Sequence, residues 1–413
     1  MTQEKKKIDH APMVYFNVQG SDLVIDNRTM SQIACIAGQT PFYVYDRRVI
    51  LDKIRLFRAH IPKRIHLHYA MKANPHPALV SFVAEHVEGL DIASQGELPV
   101  ALATKTHPED ISFAGPGKTE REIKAAIAAG IILNIESLTE LDRALRIGTE
   151  LGLSPQLAVR VNPDFELKSS GMKMGGGPKQ FGIDAEIVPQ VIKQIAASNA
   201  TFVGLHIFSG SQNLKPEAII DAHNKTFALA ERLVKESGCS LQKLNIGGGF
   251  GIPYFPGESH LDLQPIGENL ERLIQQYDAV FSKTELIIEL GRYLVGECGL
   301  YVSSIVDKKV SRDHTFLITD GGLHHHLSNS GNFGQVIRKN YPVVIANRMG
   351  ATTTENVSVV GPLCTPLDIL ADKMTLPVAE IGDLIAVYQS GAYGKSASPA
   401  RFLSHPDVVE LFL

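Results

Sequence analysis

A (β/α)8 TIM barrel joined to a separate β-domain is the architecture that this 413-residue chain predicts, and three observations predict it. Between about residues 66 and 300, eight short β-rich runs alternate with amphipathic helical runs, the pattern of βα units rather than of a sandwich. The unusual polar residues gather where those runs end, and a (β/α)8 barrel carries its chemistry at the C-terminal ends of its strands. After residue 300 the period changes to strands without long helices.

Taken in order, the N-terminal segment 1–45 supplies "DLVIDN" and "TPFYVYD", which are expected to join the β-domain. The barrel is expected over 46–300. Its strands read "HLHYAMK" (66–72), "GLDIAS" (89–94), "ISFAGP" (111–116), "LNIES" (133–137), "LAVRVNP" (157–163), "FVGLHIFSG" (202–210), "LNIGGGF" (244–250) and "LIIELGR" (286–292). Between them, 119–130, 139–152 and 218–238 are apolar on one face and closed by glycine, as helices are. The segment 163–182 is too long and glycine-rich for an ordinary βα turn, which marks it as functional. Residues 301–413 form the C-terminal β-domain through "YVSSIVDKK", "TFLITDGG", "YPVVIAN", "ENVSVVGP" and "DLIAVYQSG", a β-barrel completed by the N-terminal segment.

Composition narrows the partner. Forty basic and 44 acidic residues leave a formal charge of -4, so no field recruits nucleic acid or an anionic membrane, and the ligand is expected to be small. Cysteines at 35, 239, 298 and 364 show no C-x-x-C spacing, which argues against zinc or a disulfide framework and fits a reducing cytoplasm. The start "MTQEKKKIDHAPM" leads into no apolar core of a signal peptide, and no stretch approaches 18 uninterrupted apolar residues, so neither secretion nor membrane spanning is expected.

The strand ends carry Lys72, Ser94, His206 to Ser211, Gly247 to Gly249, Glu289 and Arg292. A single lysine there more often snorkels to solvent, but the convergence of several strand ends favours a ligand site. A pocket lysine can form an imine with an aldehyde, and the common aldehyde cofactor held this way is pyridoxal 5'-phosphate. "NIGGGFG" (245–251) offers a phosphate cradle, and Arg292 a charge for the same phosphate. Glu289 suits a pyridine nitrogen, keeping the ring protonated as an electron sink; an ion pair with Arg292 at i+3 is the structural alternative. His206 can stack on the ring or be a core histidine. Adjacent histidines on a strand point to opposite faces, so "HHH" at 324–326 is not read as a metal site.

The motifs "HYAMKANP", "GLDIASQGEL", "GLHIFSGS", "NIGGGFG", "ELGR", "GPLCTPLD" and "SGAYG" occur in an order that resembles the fold-type III pyridoxal-phosphate decarboxylases, the group of diaminopimelate, ornithine and arginine decarboxylases. Within it, "FELKSSGMKMGGGPKQFGID" and "DGGLHHHLSNSGNFGQVIRKNYPVVI" look most like the exosortase A-associated decarboxylases and the butirosin-pathway enzyme acting on a carrier-bound glutamyl group. The resemblance implies an alanine racemase-like barrel, a Schiff base on Lys72, His206 stacked on the cofactor and Glu289 at its pyridine nitrogen. It further implies that Asp91, Ser209, Gly248, Gly249, Arg292 and Tyr393 line the cofactor pocket. Cys364 would enter the site of a partner subunit in a homodimer with shared active sites and protonate the decarboxylated carbon, with Thr365, Asp368 and His324 near the substrate.

Departures from the group bear on the substrate. Thr365 stands where diaminopimelate and ornithine enzymes have an acidic residue facing a distal ammonium, and "LHHHLSNSGNFG" replaces their Arg- and Tyr-bearing segment. Gln180 replaces the usual lysine before "FG". The expected activity is therefore α-decarboxylation of an amino acid or of an acyl-carrier-protein-bound aminoacyl group. Diaminopimelate decarboxylase and a non-catalytic pyridoxal-binding regulator are the alternatives. An alanine racemase would carry arginine at 289 and tyrosine at 364, against the residues present.

Overall fold

The computed structural model describes residues 10–165, 172–173, 176–208, 210–331 and 339–413. The chain separates into two compact units: Leu51–Ile252 with His260–Leu294, and Met1–Ile50 with Pro253–Ser259 and Val295–Leu413. Sequence borders at 45/46 and 300/301 thus shift to 50/51 and 294/295, and the loop 253–259 groups with the second unit.

The first unit is a closed parallel barrel. Its strands are β1 (Ile65–Ala70), β2 (Gly89–Ile92), β3 (Ile111–Phe113), β4 (Ile132–Ile135), β5 (Gln156–Asn162), β6 (Thr201–Ile207), β7 (Lys243–Gly248) and β8 (Glu285–Leu290). They pair in the order β5-β6-β7-β8-β1-β2-β3-β4, and β4 pairing with β5 closes the ring. Helices form where the sequence caps them. Thr119 and Glu122 make a reciprocal capping box ahead of Glu120–Ala129, Ser137 accepts from Glu140 N–H ahead of Leu138–Leu151, and Gly130 and Gly152 end them in left-handed backbone.

The two ends of this barrel differ chemically. At the N-terminal end, Lys243 Nζ bridges Asp110 Oδ1 at 2.6 Å and Glu285 Oε1 at 3.1 Å, and His66 Nδ1 lies 3.1 Å from the same Glu285 oxygen. Those charges satisfy one another and tie β7, β8 and β1 together. Burial works against the Glu285 carboxylate, but His66 and Lys243 hold its pKa down at about 2.

The second unit contains an eight-stranded sheet. The long strand Gly299–Ser311 pairs antiparallel with Leu384–Val387 and His314–Thr319, and also with Phe42–Tyr45 from the N-terminal segment. Phe42–Tyr45 in turn pairs parallel with Val409–Phe412, so both chain ends meet in one sheet. Phe42, Val44, Leu300, Val302 and Ala386 are fully buried in its core. No helix among the described residues is long and apolar enough to cross a membrane.

Candidate active site

Lys72 does not end a strand. β1 stops at Ala70, and Lys72 sits exposed in a single 3-10 turn, Met71–Ala73. The cause is local: Pro75 disfavours helical backbone at Asn74, which is extended at φ -156 and ψ 101. The turn is then pinned by Tyr69 Oη donating to Asn74 O at 2.8 Å and by His76 N–H donating to Asn74 Oδ1 at 3.1 Å. The ammonium is left 5.7 Å from the centroid of the Phe208 ring.

Glu289 lies inside β8 and is 6% exposed. Its Oε2 accepts from Asn245 Nδ2 at 3.1 Å and lies 3.1 Å from His206 Nε2, an ion-pair separation without the alignment of a hydrogen bond. Burial opposes its charge, yet His206, then Lys72 and Arg160, hold the carboxyl well below the usual range, so it is ionised. Asn245 does double duty, since its Oδ1 also accepts from Gly247 N–H at 2.8 Å. It thereby links the carboxylate to the glycine loop.

That loop needs its glycines. β7 slips register against β8 between Asn245 and Gly248, and Gly247 and Gly249 take φ of +76 and +77. A Cβ at Gly248 would overlap the Glu289 carbonyl, and one at Gly249 would overlap that of Gly210. The loop after β6 closes against it through Asn213 N–H to Gly249 O at 2.9 Å. Arg292 follows half-buried as the first residue of the helix Arg292–Val295.

Asp91 in β2 is buried, accepts from Ser112 Oγ at 2.5 Å and lies 3.5 Å from His68 Nδ1. Asn134 Nδ2 extends the chain to Ser112 Oγ at 3.1 Å. Sequence reading missed several residues here. Arg160 Nη1 meets Glu136 Oε1 at 3.0 Å, and its signal was a lone arginine in the apolar run "LAVRVNP". Glu97 accepts from Ala93 N–H at 2.6 Å; burial raises its pKa while that N–H and the Lys72 charge pull the other way.

The barrel mouth fits pyridoxal phosphate on this structure's own terms. It offers one exposed amine, one ionised carboxylate and a tight glycine turn, and among its buried polar atoms both His206 ring nitrogens, Asp91 Oδ2 and Ser211 Oγ lack a hydrogen-bond partner. Ser209 lies outside the described residues.

The remaining sequence candidates belong to the second unit. Cys364 is exposed at the tip of the loop after Thr354–Val360, with half-buried Thr365 beside it. Tyr393 holds φ +55, unusual for a side chain of its size, and its carbonyl accepts from Ser328 Oγ at 2.7 Å. Asp368, 2% exposed, gives both carboxylate oxygens to backbone: Oδ1 accepts from Leu323 N–H at 2.6 Å and Oδ2 from Leu363 N–H at 2.9 Å. Burial raises its pKa, and those two bonds act in the opposite sense. The premise that His324 to His326 alternate along a strand is corrected: they form a turn, with His325 and His326 N–H both donating to Gly322 O. His324 is fully buried against His325 and His405 at ring-centroid distances of 3.8 and 4.7 Å, and burial with those neighbours lowers its pKa to about 3.

Residues 47–296 match the family described as pyridoxal-dependent decarboxylase, pyridoxal binding domain. The chain is 36% identical to the L-glutamyl-[BtrI acyl-carrier protein] decarboxylase of Niallia circulans, over 90% of this chain and 88% of that one. It is 31% identical to the diaminopimelate decarboxylase of Aquifex aeolicus, over 97% and 92%. The crystal structure of diaminopimelate decarboxylase from M. jannaschii superposes with a TM-score of 0.87 at 26% identity, covering 96% of this chain and 92% of that one.

Proposed function

Since this chain belongs to the pyridoxal-dependent decarboxylase family, we propose that its substrate is an aminoacyl group presented on an acyl carrier protein, a glutamyl group first among them. The enzyme is a pyridoxal-phosphate-dependent α-decarboxylase. When bound, the cofactor supplies an aldehyde for an amine and a sink for the electrons left on the carbon that loses CO2.

One observation carries the choice of substrate. Thr365 adjoins Cys364 without charge, and the Asp368 carboxylate is turned onto two backbone N–H groups. A distal ammonium brought beside Cys364 would find no charge at Thr365 and an Asp368 carboxylate already engaged by backbone, which is costly away from water. An acyl conjugate carries no such charge. The 36% identity to an enzyme named for a carrier-bound glutamyl substrate supports the same reading. CO2 release measured over free diaminopimelate, ornithine, arginine, lysine and glutamate, and over glutamyl and other aminoacyl carrier-protein thioesters, tests it. Turnover of the thioesters alone is expected; efficient turnover of free diaminopimelate would sink the proposal.

In this reading Lys72 would bind the cofactor through its amine, Glu289 would keep its pyridine nitrogen protonated, and His206 would pack against its ring. The turn Gly247 to Gly249 and Arg292 would hold the phosphate, with Asp91 lining the pocket. Cys364 comes from a second copy of the chain and delivers the proton to the carbon left by CO2. Thr365, half-buried beside Cys364, would face the substrate's distal end. The four free thiols suit the cytoplasm as the place of action.

Shared sites predict a specific recovery. Lys72→Ala and Cys364→Ala, each impaired alone, should regain activity when mixed and allowed to exchange subunits. Random reassociation makes about half the dimers mixed, each with one intact site of two, so recovery approaches roughly a quarter of wild type. No recovery after verified exchange would place both residues in one chain's site.

A further inference from the structure

Asp368 is built as a joint. Cys364 rides on the loop 361–368, whose base is closed by Gly361 N–H donating to Asp368 O at 3.0 Å. Within the loop, Thr365 N–H donates to Leu363 O at 2.8 Å and Asp368 N–H to Thr365 O at 3.3 Å. The Asp368 side chain then turns back, and Oδ2 takes Leu363 N–H, the residue before the cysteine. Its Oδ1 takes Leu323 N–H from the turn that carries His324. Both neighbouring glycines make room for this: a Cβ on Gly322 or Gly361 would overlap the carboxylate. The group is 2% exposed, whereas Cys364, Pro366 and Leu367 at the loop tip are exposed.

We propose that Asp368 is a positioning residue, one carboxylate locking the Cys364 loop and the His324 turn into a single body so that the thiol is held where it acts. It therefore does not contact substrate. The proposal rests on the reading of Cys364 as the proton donor, and the geometry explains why it takes a carboxylate: only an anionic two-oxygen acceptor can serve N–H groups from two directions in so small a space. An asparagine offers one oxygen and sets an NH2 against the other N–H.

The experiment is a double-mutant cycle with Asp368→Asn and Cys364→Ala on the holoenzyme, alongside the alkylation rate of Cys364 by iodoacetamide in a Cys35→Ser, Cys239→Ser background. Asp368→Asn is expected to lower kcat about 10- to 100-fold, the cost of displacing a reacting group by about an ångström, with KM and cofactor affinity near wild type. It should also change the alkylation rate several-fold. In the Cys364→Ala background it should cost nothing further, because the group it positions is gone. Gly361→Ala, which crowds the carboxylate without removing its charge, should reproduce the kcat and alkylation effects and stands in if Asp368→Asn fails to fold. An equal loss of kcat in both backgrounds, a raised KM at intact kcat, or an unchanged alkylation rate would each overturn the proposal. Full activity in Cys364→Ala alone would instead defeat the proton-donor reading, and the alkylation rate would still decide whether the joint exists.

Discussion

Lys72→Ala should lose CO2 release by roughly 10⁴-fold or more, the scale on which removing the covalent residue of an acting unit is felt. It should also lose the imine absorbance that borohydride fixes to the wild-type protein. The reason lies in how the lysine is delivered. β1 ends two residues early, Asn74 and Pro75 force a turn, and two hydrogen bonds to Asn74 hold that turn. The amine is thus exposed at the barrel mouth, while buried Glu289 stays ionised partly through the Lys72 charge. Arginine is no substitute, because a guanidinium keeps its proton and forms no imine. Lys72→Arg should therefore be as inactive as alanine, although it restores the positive charge. Peptide mapping after borohydride reduction checks the site directly: the adduct should map to the peptide containing Lys72, and a reducible chromophore persisting in Lys72→Ala would move the imine elsewhere.

The barrel was legible because its signal is periodic and local. All eight β-rich runs fall on strands, since parallel strands covered by helices must be apolar over short stretches bounded by turn residues. Their ends were less legible. Lys72 and Arg292 read as strand residues but lie past β1 and β8, because "KANP" and "LGR" turn the chain only once Pro75 and the start of the next helix are taken into account. Glu289 and Lys72 were singled out as candidates from residue type and position alone. Arg160 and Asn245 were not, as each works by reaching a group distant in sequence: Arg160 meets Glu136 across 24 positions and Asn245 meets Glu289 across 44. Asp368 shows the limit most clearly. Its acidic side chain beside Cys364 reads as a substrate contact, and nothing in "GPLCTPLD" announces that one oxygen is spent on Leu323, 45 residues earlier. The turn of His324 to His326 failed for the same reason, since a row of histidines has no period from which to tell a strand from a turn.

Glu289→Gln should retain bound cofactor yet lower kcat about 10²- to 10³-fold, the loss typical of removing one preorganised electrostatic partner of the reacting centre. The substitution is nearly isosteric, and a glutamine carbonyl can still accept from Asn245 Nδ2, so the link from β8 to the glycine loop survives. What is lost is the charge. In the wild-type protein burial opposes that charge, and His206, Lys72 and Arg160 together keep it ionised. A buried anion held at such cost in desolvation suits a cation that must be stabilised nearby, as a protonated pyridine nitrogen is. A neutral amide cannot hold that proton, and electron flow from the carbon losing CO2 meets a poorer acceptor. The competing account makes Glu289 the structural partner of His206 at 3.1 Å. That account expects a lower melting temperature, with kcat per folded site preserved. Measuring both on the same preparation separates the two: a large fall in kcat at an unchanged melting temperature supports the electronic role, and near-normal kcat with a destabilised fold assigns Glu289 to the framework of the barrel.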